Sequence, residues 1–398
     1  MEYKQNILIV DDEKSNIDIV LNLFSLIDTT NYNLIAALSG EKALQVIEKR
    51  KIDLILLDIM MPGIDGYEVC RRLKNSNETK DIPILFITSS TDEESIVKAY
   101  DLGAVDYVTK PFKAVELLAR VKINLELQST IKQLEVLYTN LQDSIAYAAQ
   151  IQNAIIPQAQ LLEKYFDNYF ILWEPKDTVG GDIYLFEELR DDDECLLMVI
   201  DCTGHGVPGA FVTMLVKAIE REVIGKINRS NDDVSPAQIL QHFNKVMKKL
   251  LNQEDMNALS DSGFDGGIVY INKKKKLIRF AGAQTPFIYI EDSQVKMIQG
   301  DRHSIGYSKS RDDYPFTEHT IEFTTQIHAY LATDGYLDQT GGEKGFMFGK
   351  KNLLKLIEEH KDKNFTSQKH LFLDALKTYQ GKYSRKDDIT FMGFKIDY

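Results

Sequence analysis

Three cysteines among 398 residues, Cys70, Cys195 and Cys202, are too few for a disulfide framework and lack the spacing of a thiolate metal site. Their scarcity fits a reducing compartment. No apolar run approaches the ~18 residues needed to cross a bilayer as a helix, and residues 1–10 lack the pattern of a secretory leader. A cytoplasmic location with no membrane partner is the expectation. Basic charge is also short: 47 Lys and Arg face 60 Asp and Glu, a net −13. Phosphate contacts draw on Lys and Arg, so this balance disfavours nucleic acid and anionic lipid as partners. Glycine and proline are missing altogether from 112–156.

What is present is ordinary for folded protein, with 44% hydrophobic and 10% aromatic residues. The length suits two or three domains. From 1 to about 112, short apolar runs (7–10, 54–57 and 84–87, with weaker ones near Leu34 and Tyr107) alternate with helix-length amphipathic stretches. This alternation predicts one doubly wound α/β domain with a five-stranded parallel sheet. In the glycine- and proline-free stretch, Leu127, Ile131, Leu134, Tyr138, Leu141, Ile145, Ala148, Gln152 and Ile155 keep an unbroken 4-3 spacing. Such a seam predicts a helical, coiled-coil connector that pairs two chains into a homodimer; the other reading is a helix packed on its own domain. After Pro157 the pattern turns strand-rich, at 171–173, 196–200, 267–271, 277–281, 287–290, 329–332 and 390–396. Helix-length stretches fall near 209–227, 236–251 and 351–360. Many strands with a few inserted helices predict an α+β sandwich. The charge runs at 191–193 and 273–276 read as solvated turns. The expected domains are 1–125, 126–157 and 158–398.

The carboxylates of the first segment stand where apolar runs end: Asp11 and Asp12 after 7–10, Asp58 after 54–57. Strand carboxyl ends form the ligand crevice of an open α/β sheet. Three acids gathered there repel unless a hard cation such as Mg²⁺ balances them. Thr88 closes the next run and Lys110 follows the last. Acids, hydroxyl and ammonium together can accept a phosphoryl group, with cation and lysine neutralising its oxygens. These residues, with LDIMMPG at 57–63 and YVTKP at 107–111, resemble the response-regulator receiver family over 5–125. The resemblance implies Asp58 as phosphoacceptor, and Asp11, Asp12, Asp58 and the Met60 carbonyl as Mg²⁺ contacts. It places Thr88 and Lys110 on the phosphoryl group, makes Thr88 and Tyr107 switch residues, and implies a cognate histidine kinase. The other reading is a receiver that no longer accepts phosphate and only dimerises.

In the third segment, aspartates sit in glycine turns far apart in sequence: Gly180-Gly181-Asp182, Asp201-Cys202-Thr203-Gly204-His205-Gly206, Thr333-Asp334-Gly335 and Asp387-Asp388-Ile389-Thr390. Glycine lets the backbone turn sharply and approach a ligand closely. Aspartates delivered from several strand ends can hold two divalent cations, and such a pair activates water and polarises a phosphate ester. Singly, each is a commonplace turn. Jointly and in this order they resemble the PPM-type metal-dependent protein phosphatases of the SpoIIE-like branch, from about residue 141 onward. AAQIQ at 148–152, IIP at 155–157, AGA at 281–283 and GDR at 300–302 share in the match. The resemblance implies Asp182, Asp201, Asp334 and Asp387 as ligands of two Mn²⁺ or Mg²⁺, with the Cys202 carbonyl as another and Asp388 as a substitute for Asp387. Lys176 is implied to bind substrate phosphate, or is an exposed lysine. His205 resembles the family histidine that protonates the leaving group, though it stands farther from its aspartate than in Asp-Gly-His members. Asp261 and Asp265 lie where some members place a further metal contact, or form an ordinary turn.

The joint expectation is a two-component response regulator whose receiver controls a metal-dependent phosphoserine/phosphothreonine protein phosphatase. The resemblance further implies a phosphorylated STAS-type anti-sigma-factor antagonist as substrate. The alternative is a catalytically degenerate, phosphatase-like binding module in a partner-switching pathway. Intact acids disfavour it, because a scaffold has no need to confine repelling charges. A DNA-binding output finds no support in a C-terminal segment this long, strand-rich and acidic.

Overall fold

The computed structural model describes residues 4–25, 32–89, 93–111, 113–230, 232–254, 261–324 and 326–397. They divide into two compact units, Met1–Asn140 and Leu141–Tyr398. The first unit alternates strands and helices: β1 (Gln5–Val10), α1 (Lys14–Ser25), β2 (Tyr32–Ala37), α2 (Gly40–Lys49), β3 (Leu54–Asp58), α3 (Gly66–Lys74), β4 (Ile84–Thr88), α4 (Glu93–Asp101) and β5 (Asp106–Thr109), then enters α5 (Ala114–Ile155). The strands form one parallel sheet in the order β2-β1-β3-β4-β5. Alternate residues of the buried strands serve opposite faces. Leu8, Val10, Ile55 and Leu57 pack with Val69 and Leu73 of α3, while Ile7, Ile9, Leu54 and Leu56 pack with Val20 of α1 and Leu117, Val121 and Leu125 of α5. Burial on both faces is why these strands read as continuous apolar runs. Ser39 and Asp65 cap α2 and α3 by accepting the amides of Lys42 and Glu68.

The helix expected over 112–156 forms as α5, 42 residues long, about 63 Å at ~1.5 Å per residue. Phe112 lies outside the described residues. Along the seam, Leu127, Ile131, Leu134, Tyr138 and Leu141 are 40–66% exposed. Farther on, Ile145 and Ala148 are partly covered, Gln152 is buried, and Ile155 packs on the core of the second unit.

The second unit contains α6 (Ala159–Tyr165), β6 (Asn168–Glu174), β7 (Asp182–Glu188), β8 (Glu194–Cys202), α7 (Gly206–Ile227), α8 (Pro236–Leu250), β9 (Phe264–Asn272), β10 (Leu277–Ala283), β11 (Phe287–Glu291), β12 (Gln294–Ile298), β13 (His319–Glu322), β14 (Ile327–Ala332), α9 (Asp334–Asp338), β15 (Thr340–Gly341), β16 (Phe346–Met347), α10 (Gly349–His360), α11 (Phe365–Gln380) and β17 (Ile389–Ile396). Two five-stranded antiparallel sheets face each other, β13-β10-β9-β8-β7 and β12-β11-β14-β17-β6. On β8, Cys195, Leu197 and Val199 point to the inter-sheet core, whereas Leu196, Met198 and Ile200 meet Val216 and Ile219 of α7 and Phe243 of α8. Helices α10 and α11 cover the outside of the second sheet through Leu353, Ile357, Phe372 and Leu376. The runs at 191–193 and 273–276 are turns, as expected. Among the described residues of the second unit, eight elements went unread in the sequence: α6, β7, β12, β13, α9, β15, β16 and α11. In α11 the buried apolar side chains are sparse, Phe365, Phe372 and Leu376 among polar neighbours.

Candidate functional site

In the first unit the sheet order reverses between β1 and β3, and Asp11 and Asp58 stand at the carboxyl ends of those two strands. Lys110, just past β5, reaches back to both: its Nζ lies 2.7 Å from Asp11 Oδ2 and 3.1 Å from Asp58 Oδ2. One carboxylate oxygen from each of Asp11, Asp12 and Asp58 falls within 4.8 Å of the others. Asp11 is held by the Glu13 amide and by Asn16 Nδ2, which donate to its Oδ1 at 2.9 and 3.0 Å. Asn16 carries no signal of this role in the sequence. Burial pushes the Asp58 carboxyl up, Lys110 pulls it down, and the charge of Asp11 pushes it up again. Burial works against the charge on Lys110, but its hydrogen bond to Asp11 and the charge of Asp58 leave its pKa raised. Thr88 is buried at the end of β4, and the Met60 side chain is exposed. Tyr107 is half-buried, with its ring edge-on to Tyr100 at 6.1 Å. A Cβ at Gly66 would sit 2.2 Å from the Asp58 carbonyl, so α3 can start this close only with glycine there.

In the second unit, strand register builds the site. Asp182 of β7 lies opposite Asp201 of β8, and Asp201 lies opposite Asp265 of β9. Side chains opposite one another share a face. All three have the parity of Tyr184, Val199 and Val269, so they point between the sheets. The other sheet answers from the end of β14 and the start of β17, where the Thr333 amide donates to the Thr390 carbonyl at 2.9 Å. That junction carries Asp334 and Asp387.

Thr333 Oγ1 donates to Asp182 Oδ2 at 2.7 Å, and Trp173 Nε1 donates to the Asp182 carbonyl at 3.0 Å. Burial lifts the Asp182 carboxyl to about 8, against the hydrogen bond from Thr333. Burial foremost, then the charges of Asp182 and Asp334, drive Asp201 far above the usual carboxylate range. Asp387 adds its charge to both Asp201 and Asp334. Asp388 points elsewhere: its oxygens accept the Lys176 amide at 2.7 Å and the Gly181 amide at 2.6 Å, clamping the loop before β7. Gly181 is required sterically, since a Cβ there would lie 2.6 Å from the Cys202 carbonyl and 2.3 Å from that of Gly204.

Among the described residues, only the receiver acids gather three ligand atoms within 4.8 Å; the second-unit acids face one another without closing that far. Their chemistry nonetheless fits divalent cations. Several carboxyls are confined against their charge, and Asp265 Oδ1 is buried with no hydrogen-bond partner. Burial, above all, lifts Asp265 to about 6. Asp261 stands apart, accepting the Ser308 amide at 2.8 Å. Lys176 and His205 come together on the exposed side: Lys176 Nζ is 3.0 Å from His205 Nε2, and Asp177 Oδ2 is 2.9 Å from His205 Nδ1. Asp177 gave no signal in the sequence beyond lying next to Lys176.

The profile of the response regulator receiver domain matches residues 7–122. That of stage II sporulation protein E (SpoIIE) matches 191–397, just over half of the chain. Transcriptional regulatory protein YvrH of Bacillus subtilis (strain 168) is 30% identical over 203 residues, 49% of this chain and 83% of that protein. The probable transcriptional regulator ycf27 of Porphyridium aerugineum is 39% identical over 119 residues, 30% of this chain and 47% of that protein. The chain thus spans about half the length of the second relative. Among solved structures, the SiaA-PP2C domain of Pseudomonas aeruginosa superposes with a TM-score of 0.58 at 33% identity, over 65% of this chain and 98% of that one. No helix among the described residues is long and apolar enough to cross a membrane. With a receiver fold at one end and a PP2C-like double sheet at the other, the chain belongs to the SpoIIE family and carries a response regulator receiver domain ahead of its phosphatase domain.

Proposed function

We propose that the receiver sets the rate at which the second domain removes phosphate from serine or threonine of a protein, in a divalent-metal-dependent reaction. One observation carries this reading: Asp182, Asp201 and Asp265 stand side by side on the inner face of one sheet, against Asp334 and Asp387 from the other. Asp182, Asp201, Asp334, Asp387 and the Cys202 carbonyl would hold two Mn²⁺ or Mg²⁺, and Asp265 a further one. When bound, such ions polarise a phosphate ester and lower the pKa of a bound water. Asp388 acts through the backbone it clamps. Lys176 receives the phosphate, and His205, oriented by Asp177, faces the leaving oxygen.

In the receiver, Asp58 takes the phosphoryl group from a histidine kinase or a small acyl phosphate, with Mg²⁺ held by Asp11, Asp12, Asp58 and the Met60 carbonyl. Thr88 and Lys110 meet the new charge, and Tyr107 responds. The apolar seam left exposed on α5 supports a homodimer paired along the connector. Domain limits at 125 and 157, a cytoplasmic location and a phosphorylated STAS-type anti-sigma-factor antagonist as substrate complete the reading. The test is chelation. With a phosphoserine-bearing STAS protein as substrate, EDTA should stop phosphate release and excess Mn²⁺ should restore it. Release that persists in EDTA would leave the degenerate-module alternative for the acid cluster and exclude metal-dependent hydrolysis.

A further inference from the structure

Where the second-unit acids open to solvent they line a cavity of about 300 Å³. Asp201 and Asp265 form one part of its wall, and Asp334 and Asp338 of α9 form another. Against these four acids the lining holds a single cation, Lys350 in the first turn of α10. Among the described residues Lys350 makes no ion pair; its Nζ donates to the neutral Gln299 Oε1 at 3.2 Å. Metal ions among the acids would take up their charge and leave that of Lys350 uncompensated. The same lip carries apolar side chains. Met347 lines the cavity, and it and Phe346 beside it are 51% and 67% exposed. Their backbone is nonetheless fixed. Tyr379 Oη lies 3.1 Å from the carbonyl oxygens of both, and the Phe348 amide donates to the Gln339 carbonyl at 3.0 Å. The buried Phe348 ring stands edge-on to Tyr336 and Tyr379. Exposed apolar side chains on a fixed backbone, continuous with an acid-lined cavity, suit them to meet whatever enters it.

We propose that this lip, β15–β16 with the first turn of α10, selects the phosphoprotein by the residues that flank its phosphoserine. Lys350 pairs with a flanking carboxylate, and Met347 and Phe346 cover an apolar neighbour. The assignment rests on the reading of the acid cluster as a phosphoserine phosphatase site, and names the sequences that site prefers. The cavity is at the small end of ligand pockets. It admits the phosphoserine and little of the chain around it, so the neighbouring residues are met at the lip. With cations in place, Lys350 is the charge that a flanking residue encounters. An acidic flank gains attraction there and a basic one repulsion. An exposed pair of this kind changes affinity by about fivefold at most and is screened by salt.

The test uses the full chain with Mn²⁺ and short phosphoserine peptides whose flanks carry glutamates, lysines or glycines. Each is made with and without a leucine beside the phosphoserine. The kcat and KM are measured for every peptide. Binding is read separately, from the fluorescence anisotropy of labelled phosphonate analogues that cannot be hydrolysed. Wild type should favour the acidic over the basic flank about fivefold in KM and in analogue affinity, and lose that preference at high salt. Lys350→Glu should reverse the order, and Lys350→Met should abolish it. Phe346→Ser combined with Met347→Ser should erase the gain from leucine while the charge preference remains. Equal KM and affinity for acidic and basic flanks in wild type, or the wild-type order retained by Lys350→Glu, overturns the role of Lys350. A leucine gain that survives the double substitution overturns that of Met347 and Phe346. If no peptide is hydrolysed in an Mn²⁺-dependent way, the phosphatase reading beneath the assignment is overturned instead.

Discussion

Asp201→Asn should cost the phosphatase about a thousandfold or more in turnover, ~4 kcal/mol of barrier, while making the metal-free protein harder to melt. The two effects share one cause. Asp201 is confined among Asp182 and Asp334 with its pKa raised by burial and by their charges, which suits a cation and strains a protein without one. The sign follows from linkage. A carboxyl whose folded pKa is raised above its unfolded value of ~3.9 stabilises the fold when protonated, and that stability is lost as pH rises through the folded pKa. For Asp182 the window runs up to about 8. Wild type in EDTA should therefore melt at lower temperature at pH 8 than at pH 5. Mn²⁺ should reverse the trend at pH 8 by binding the folded form. Asp201→Asn should flatten the pH dependence and lose the rescue by Mn²⁺. Kinetics with a phosphoserine protein and thermal scans at the two pH values check both halves. Turnover above a tenth of wild type, or a metal-free melting temperature that rises with pH, would contradict them.

Asp58→Asn should abolish acyl-phosphate labelling of the receiver altogether, because the amide oxygen is too weak a nucleophile to accept a phosphoryl group. The rest of the crevice survives the change: Lys110 keeps its 2.7 Å contact with Asp11, and Asp11 keeps Glu13 and Asn16. Loss of label with an unchanged melting temperature is the expected pair of results, read by acid-labile phosphate and by calorimetry. Label at wild-type yield would move the acceptor elsewhere.

The receiver was legible almost whole, for a physical reason. A parallel sheet covered on both faces writes each strand as an unbroken apolar run, and its catalytic acids follow those runs directly, as Asp11 follows 7–10 and Asp58 follows 54–57. The second domain was legible by motif more than by element. Its aspartates stood out because glycines crowd around them. That Asp182, Asp201 and Asp265 are cross-strand neighbours is a matter of register, which a single sequence does not write. Asp265 was singled out in the sequence, but only its burial and its orphaned oxygen separate it from Asp261, which locks a turn. Asp387 and Asp388 were interchangeable on paper. Two backbone amides on Asp388 tell them apart. Asp177 and Trp173 escaped notice because their partners, His205 and the Asp182 carbonyl, lie far from them along the chain or are backbone. In the sequence, Gln152 stood only as one position of the coiled-coil seam. Its partners, Gly180 and Thr213, are 28 and 61 residues away.

Control of phosphate release by the receiver through a rigid α5 is tested most directly by an insertion in that helix. Four residues placed after Leu134 shift the phase of the seam without touching either acid cluster. Initial rates of dephosphorylation of a phosphoserine protein would be compared with and without a small acyl-phosphate donor and Mg²⁺, in wild type and in the insertion variant. The donor should change the wild-type rate severalfold, and the insertion variant should fold, retain its basal rate and ignore the donor. A donor response that survives the insertion at full size would contradict control through the helix.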